Sequence, residues 1–309
     1  MNVIESINNL TTPFNNAVIT IGNFDGVHIG HQALFHEVIE KADAINGTSI
    51  AVTFEPHPSR VLNKKYQLPL ITLYEQKVEL IEKSGIDVLI CIPFTKKFAS
   101  FPAQLFVEDL LVKHIGTKAI VVGNDYRFGK NREGDTDLLK KFGDRFNFEV
   151  IISNWKQMPD RSERISSTLI RELVLAGDVA KAQKSIGRYY QIRGQVVSGR
   201  NRGGRLLGFP TANINLTDEL CPKAGVYAVT VECINKTFNG VANIGYSPTF
   251  DDNIFTVEVH ILNFNKIINN QRIRVNFIQR IRDEKKFSNI KTLSSQIEKD
   301  IKTAEAILK

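Results

Sequence analysis

Apolar and polar positions follow two rhythms along this chain, and they change near residue 185. Up to that point, compact apolar runs alternate with stretches whose apolar residues recur every three or four positions. Ala17–Ile21, Ser49–Phe54, Ile86–Phe94, Lys118–Val122 and Phe148–Ile152 read as strands. Between them, Leu34, Val38, Ala42 and Ile45 keep helical spacing. Thr72 to Ser84 reads as a helix, with Thr72 and Glu75 as a capping box and Gly85 as its stop. Pro102 to Ile115 reads as another, ended by Gly116. Strand–helix alternation predicts βαβ units and a parallel sheet covered by helices. Around Ala182–Tyr190 the pattern gives way to β-like runs divided by glycine, proline and asparagine: Gln191–Ser198, Val226–Glu232, Thr237–Ile244, Phe255–Asn263 and Ile273–Arg280. These predict a small antiparallel barrel. A terminal helix, Ser288 to Lys309, carries Ile290, Leu293, Ile297, Ile301 and Ala304 on one stripe for core packing. The reading is two domains, 1–183 and 184–309.

The 309 residues suffice for two separate cores, and 42% apolar with 24% charged residues is the balance of a soluble globular protein. Three cysteines, Cys91, Cys221 and Cys233, are widely spaced, which argues against a disulfide framework or a zinc site and suits a reducing cytosol. The start, MNVIESINNL, lacks the basic and apolar regions of a signal peptide, and the longest apolar run, Val88–Phe94, is too short to span a bilayer. A cytoplasmic location without membrane partners is expected. The formal charge of +7 is dispersed; its tightest cluster, Arg200, Arg202 and Arg205, lies in a glycine-rich loop and not on a helix face with interleaved aromatics. Such loops hold mononucleotide phosphates more often than nucleic acid. Self-association is left open.

The densest chemistry follows the first strand. Gly22, Gly26 and Gly30 sit between it and the next helix, with His28 and His31 on the turn. A strand, a glycine-rich turn and a helix aim backbone N–H groups at a phosphate, and two imidazoles there can donate to charge developing on a leaving pyrophosphate. The string is neither the dinucleotide fingerprint nor the Walker loop. It resembles the His-x-Gly-His signature of nucleotidylyltransferases. Within that group, Gly22-Asn23-Phe24-Asp25-Gly26-Val27-His28 resembles the prokaryotic bifunctional riboflavin kinase/FAD synthetases. That resemblance implies an α/β nucleotidylyltransferase domain with a Rossmann-like parallel sheet, then a small antiparallel β-barrel domain with a C-terminal helix.

Two further segments carry the same resemblance. Gly123-Asn124-Asp125-Tyr126-Arg127-Phe128-Gly129 ends a strand, and Asn124, Asp125 and Arg127 are expected at the nucleotide site with Gly22, Asn23, Phe24, Asp25 and Gly30. Arg164 to Arg171 opens a helix closed by Gly177; Ser166, Ser167 and Thr168 suit a helix start. With Arg164 and Arg171 they also make an anion site, which the resemblance turns into a clamp on the triphosphate. The implied reaction is attack of the FMN phosphate on the α-phosphorus of ATP, so positioning and charge stabilisation suffice. His28, His31, Arg164, Ser167, Thr168 and Arg171 would supply them, with Mg²⁺ neutralising phosphates. Phe54, Pro56, His57 and Pro58 are expected along the flavin, although a proline-rich strand end explains them equally well.

In the second half, Gly199 to Asn213 makes a cationic loop ending in Pro210-Thr211-Ala212-Asn213. If extended, Thr211 and Asn213 share a face and can ligate one hard cation. The run resembles the ATP/Mg²⁺ loop of riboflavin kinases, with Gly199, Arg205, Gly208 and Pro210 as nucleotide contacts. Glu258 and His260 share a strand face, and by resemblance Glu258 is the base for the ribityl hydroxyl. Ser247, Asn263-Phe264-Asn265 and Asn269-Asn270 depart from the commoner pattern on the flavin side. The resemblance, which runs from about Val18 to Ile301, implies a bifunctional enzyme making FMN and then FAD from riboflavin and ATP. The alternatives are an FAD synthetase with a weak or flavin-binding kinase-like domain, another His-x-Gly-His transferase, and a flavin-binding regulator.

Overall fold

The computed structural model describes residues 1–7, 10, 12–63, 68–154, 156–158, 163–197, 209–216, 218–247 and 254–309. The chain forms two compact units, Met1–Ser167 and Thr168–Lys309.

In the first unit, strands β1 (Asn2–Ile4), β2 (Ala17–Ile21), β3 (Thr48–Glu55), β4 (Val88–Pro93), β5 (Thr117–Gly123) and β6 (Glu149–Ser153) make one parallel sheet, in the order β1-β4-β3-β2-β5-β6. Each expected strand forms. The five residues of β2 are all buried, because helices cover both faces of the sheet. One face packs Val18, Ala51, Leu89, Ala119 and Val121 against Phe35, Val38 and Ala42 of α1 (Ile29–Ala44). A short helix α2 (Pro58–Leu62) follows β3, and Ile81 of α3 (Tyr74–Lys83) joins the same face. The alternate residues Ile19, Ile50, Val52, Ile90, Ile120 and Val122 pack on the other face with Val107, Leu110 and Leu111. Those three lie on the helix expected over 102–115. It is α5 (Ala103–Leu105), preceded by α4 (Lys96–Ala99), and runs on as a π-helix, Phe106–Ile115, ended by Gly116 at φ 75°. Leu139 and Phe142 of α6 (Thr136–Phe146) complete that layer.

The expected capping box at Thr72 is not there. α3 begins at Tyr74, and its N-cap is Leu73, with no side-chain cap bond. Thr72 has been taken by a partner far along the chain, as described below.

The second unit opens with α7 (Ser167–Ala176), whose residues from Thr168 belong to it, and α8 (Val179–Ile186), ended by Gly187 at φ 80°. The barrel follows: β7 (Tyr190–Val197), β8 (Ala212–Asn215), β9 (Gly225–Cys233), β10 (Lys236–Ser247), β11 (Ile254–Ile261) and β12 (Arg272–Arg282). It closes in the order β10-β11-β8-β7-β12-β9, all antiparallel. Helix α9 (Ile290–Ile307) lays Ile301 and Ala304 on Val226, Ala228 and Val241. The expected apolar stripe is shorter than its sequence pattern, since Ile290 is 69% exposed. An ion pair completes the docking: Arg282 reaches both oxygens of the buried Asp300, with Nη2 2.7 Å from Oδ2, and Gln296 donates to Oδ1. Asp300→Ala leaves the guanidinium half-buried without its fork. It should cost roughly 2–4 kcal/mol, below the value for a fully buried pair because Arg282 keeps a wet edge. Urea unfolding of the two proteins side by side reads this directly, and equal midpoints would show that α9 is held by apolar contact alone.

Candidate functional site

Strand order in the first sheet reverses at β2: β3 and β4 lie to one side of it, β5 and β6 to the other. Ligands of open α/β sheets bind at such a reversal, beyond the carboxyl ends of the strands. The turn after β2 carries the two histidines, and the turn after β5 carries Asn124 to Arg127.

The histidine turn is strained and heavily fastened. Phe24 and Val27, both fully buried, hold φ at 48° and 39°, and Gly26 sits at 89°. A β-branched residue at positive φ persists only where its surroundings over-determine it. Asp25 shows how. It is buried and accepts from the backbone of Ile71 (3.2 Å) and Thr72 (3.0 Å) and from the Thr72 hydroxyl. Gly26 N–H donates in turn to Thr72 Oγ1, 3.0 Å away. Asp25 thus faces the protein at these bonds, 46 and 47 residues along the chain, and its carboxylate shapes the turn.

His28 is the N-cap of α1. Its Nδ1 accepts from His31 N–H at 3.3 Å, and the two rings stack with centroids 3.6 Å apart. An Nδ1 that accepts assigns the proton of the neutral ring to Nε2, which is left as a donor. A Cβ on Gly30 would come within 3.2 Å of the His28 ring, so a side chain there would press on the imidazole. Phe24 stands edge-on to His31 (5.2 Å) and to Phe35 (4.9 Å), which fixes the outer imidazole. Asn23 and Gly22 lie at the exposed lip of the turn.

The second motif segment is drawn to the first within this unit. Ser167 Oγ donates to the Asp25 carbonyl at 2.8 Å, and Arg164 Nη2 lies 2.8 Å from Asp125 Oδ2. An exposed pair of this kind is worth at most about 1 kcal/mol, so its effect is to hold the guanidinium beside the turn after β5. Arg164 precedes the helix it was expected to open; α7 starts at Ser167, with Thr168 and Arg171 in its first two turns. Arg127 turns away to Asp135 (3.0 Å), the N-cap of α6, whose carboxyl is held below its usual range by the Leu138 N–H and by Arg127. Asn124 is exposed.

Of the residues expected along the flavin, Phe54 ends β3 among aromatics that the sequence reading left out. Phe94 and Phe98 lie 5.6 and 5.8 Å from its ring. His57 is buried as the N-cap of α2, accepting from Ser59 N–H, while Pro58 fills the first turn and Pro56 is exposed.

In the barrel, Gly199, Arg205 and Gly208 fall outside the described residues, as do Arg200 and Arg202. Asn213 is in β8 and pairs in register with Glu258 of β11, which on its other side pairs with Asn243 of β10. Directly opposed residues share a sheet face, so two amides flank the carboxylate. Val257 and Val259, 1% and 0% exposed, point the other way into the barrel. Burial pushes the Glu258 carboxyl above its ordinary value. Thr211, two positions before Asn213, and Pro210, whose carbonyl accepts from His260 Nδ1 at 2.8 Å, lead into this face. Nothing in the sequence alone singles out Asn243; the strand register brings it beside Glu258. The departure at Asn270 is accommodated by the backbone, at φ 64° where asparagine can stand in for glycine.

Comparison with known proteins adds two matches that divide the chain. The family model for FAD synthetase matches residues 11–169, and that for riboflavin kinase matches residues 186–308. A Haemophilus influenzae protein described as a bifunctional riboflavin kinase/FMN adenylyltransferase is 38% identical over 307 residues, 99% of each chain. The Escherichia coli K12 protein of the same description is 38% identical over 306 residues, 98% of this chain and 97% of its own. A solved Streptococcus pneumoniae structure described as a macrolide-efflux protein superposes with a TM-score of 0.89 at 32% identity, covering 98% of both chains. Among the described residues, no helix is long and apolar enough to cross a membrane.

Proposed function

The chain belongs to the bifunctional riboflavin kinase/FMN adenylyltransferase family, and from that premise we propose how its residues carry the two reactions. The protein phosphorylates riboflavin to FMN with ATP and transfers the adenylyl group of a second ATP to FMN, giving FAD and pyrophosphate. The observation that carries this reading is the near-full-length match to relatives described by both activities, with a separate family model on each half. The efflux description belongs to the pneumococcal chain alone.

Adenylyl transfer is assigned to residues 1–183 and phosphorylation to 184–309; matched ranges of 11–169 and 186–308 support that division. In the first reaction an FMN phosphate oxygen forms a bond to the α-phosphorus as its bond to the β-phosphate oxygen breaks. The nucleophile is already an anion, so the work is positioning and charge stabilisation. His28 Nε2, His31, the Ser167 hydroxyl and Arg164 meet the triphosphate, and phosphate binding is also assigned to Thr168 and Arg171 from the motif they share with Ser167. Gly22, Asn23 and Phe24 shape the nucleotide side, with Asn124 and Asp125 opposite, and Phe54 faces the flavin. In the second reaction the nucleophile is a neutral alcohol, and Glu258 removes its proton.

Mg²⁺ is the cation we assign to both halves. Thr211 and Asn213 supply the hard oxygen donors that Mg²⁺ takes together with substrate phosphates, and the ion would offset phosphate charge there. We further assign the protein to the cytoplasm, with small-molecule substrates and neither nucleic-acid nor membrane partners.

Incubation with ATP, Mg²⁺ and riboflavin, followed by chromatographic separation of the flavins, tests the whole reading. FMN and FAD should both accumulate, and omission of Mg²⁺ should stop both. FAD formed only when FMN is supplied would remove the kinase assignment. Turnover of neither flavin would remove both.

A further inference from the structure

Lys77 lies in the second turn of α3, where a lysine reads from sequence as a solvent-facing residue, yet its side chain is 5% exposed. Its Nζ is 3.4 Å from the carbonyl oxygen of Asn23, 3.4 Å from that of Phe54 and 3.7 Å from Glu55 Oε2. Asn23 belongs to the histidine turn after β2; Phe54 and Glu55 are the last residues of β3. The final ladder bond between these strands, Gly22 N–H to the Val52 carbonyl, is already behind them. Beyond it the Lys77 ammonium and the Thr53 hydroxyl, 3.3 Å from the same Asn23 carbonyl, tie the two ends together. Desolvating an ammonium is expensive, and an apolar side chain would fill the same space with less loss of stability. Its presence therefore points to geometry at the strand ends.

We propose that Lys77 is a positioning residue for adenylyl transfer, setting the separation between the phosphate-binding turn and the aromatic surface at Phe54 so that the FMN phosphate meets the α-phosphorus in line. The proposal rests on the adenylyltransferase reading of this half. A misplacement of about 1 Å in such a step costs on the order of 10² in rate.

The groups facing Lys77 allow its charge to be followed. Glu55 approaches from β3, Asp25 from the turn, Cys91 from β4 and Tyr74 from its own helix. Burial raises both the Cys91 thiol and the Tyr74 phenol, so they stay uncharged through the weakly alkaline range. Burial lowers the Lys77 ammonium from its ordinary value of 10.5. Loss of its proton removes the ion pair to Glu55 and the charge that holds two carbonyls at once.

Three measurements on the full chain test this. Lys77→Met should lower kcat for FAD formation by roughly 10²-fold while KM for ATP changes little and riboflavin phosphorylation stays within about twofold. Lys77→Arg, which keeps the donors and the charge, should restore most of the rate. In the wild type, FAD formation should decline on the alkaline side below the ordinary lysine range, and the arginine variant should lack that decline because a guanidinium does not titrate there. The Arg variant and the wild-type pH profile carry the test even if the methionine variant does not fold. A methionine variant within threefold of wild type, or an alkaline decline that survives in Lys77→Arg, overturns the proposal. Full FAD synthesis by a His28→Ala/His31→Ala double variant would instead remove the reading on which it rests.

Discussion

Alanine at His28 or His31 lowers FAD formation by roughly 10²–10³-fold and leaves riboflavin phosphorylation within about twofold of wild type. The size is that of losing one donor to charge that develops on a leaving group in a preorganised site. His28 needs a control, because it does two jobs. Its Nδ1 caps α1 through His31 N–H, and loss of a cap costs about 1 kcal/mol of stability without touching chemistry. His28→Asn separates the two, since asparagine is a good N-cap but cannot present the Nε2 donor. The asparagine variant should therefore recover the unfolding temperature of wild type and keep the rate defect of alanine. His31→Ala keeps the cap, which uses the His31 backbone N–H, although Phe24, 5.2 Å away, loses its edge-on neighbour and His28 its stacked partner. A double variant that makes FAD at near-normal rate would sink the assignment of this turn to pyrophosphate departure.

Glu258→Gln abolishes FMN formation, by roughly 10²–10⁴-fold, and spares adenylylation of supplied FMN. The substitution keeps shape and fits between Asn213 and Asn243, so the barrel wall should not notice it. The pH dependence has a definite sign. Burial raises the folded-state carboxyl above its ordinary value of 4.5, so the wild-type kinase should lose its base as pH falls through that raised value, earlier than an ordinary glutamate would. Stability runs the other way. The unfolded chain releases this proton first, so ionising Glu258 costs folding free energy, and that cost grows as pH rises from the unfolded value through the folded one. Glutamine does not carry the cost. At neutral pH the variant should unfold at the same temperature as wild type or slightly above it, while ADP release from riboflavin plus ATP collapses. Equal ADP release from the two proteins would make Glu258 a bystander on the barrel surface.

Elements built from local pattern were legible from sequence, and contacts between distant segments were not. The buried runs of β2 to β5 and the alternating runs of the barrel announce themselves because burial on two faces or on one leaves a different apolar period. β8 did not, since Ala-Asn-Ile-Asn has one buried residue and no room to show a period. Thr72 was misread for a related reason. A threonine three residues before a glutamate is a helix-start signal, but Asp25, 47 residues away, offered its hydroxyl and N–H a buried partner. Lys77 was passed over because nothing in a helical stretch tells a snorkelling lysine from one turned inward. For the candidate site, the histidine turn was legible because its glycines and histidines are local. The Arg164–Asp125 pair and the two asparagines beside Glu258 needed the fold to bring them together.

The closure of the barrel has a consequence for what mutation can reach. β8 is only four residues long, yet among the described residues it alone joins β11 to β7, and it also carries the Asn213 end of the Pro-Thr-Ala-Asn run. Losing it would bare one edge on each neighbour, and an open edge recruits strands from other chains. Damage to the end of this half that we assign to cation binding is therefore coupled to aggregation. Sequence drift through β8 should tend to remove the polypeptide from the soluble pool, whereas drift at Glu258, paired on both sides whatever its side chain, can leave a soluble protein that has lost only one of its reactions.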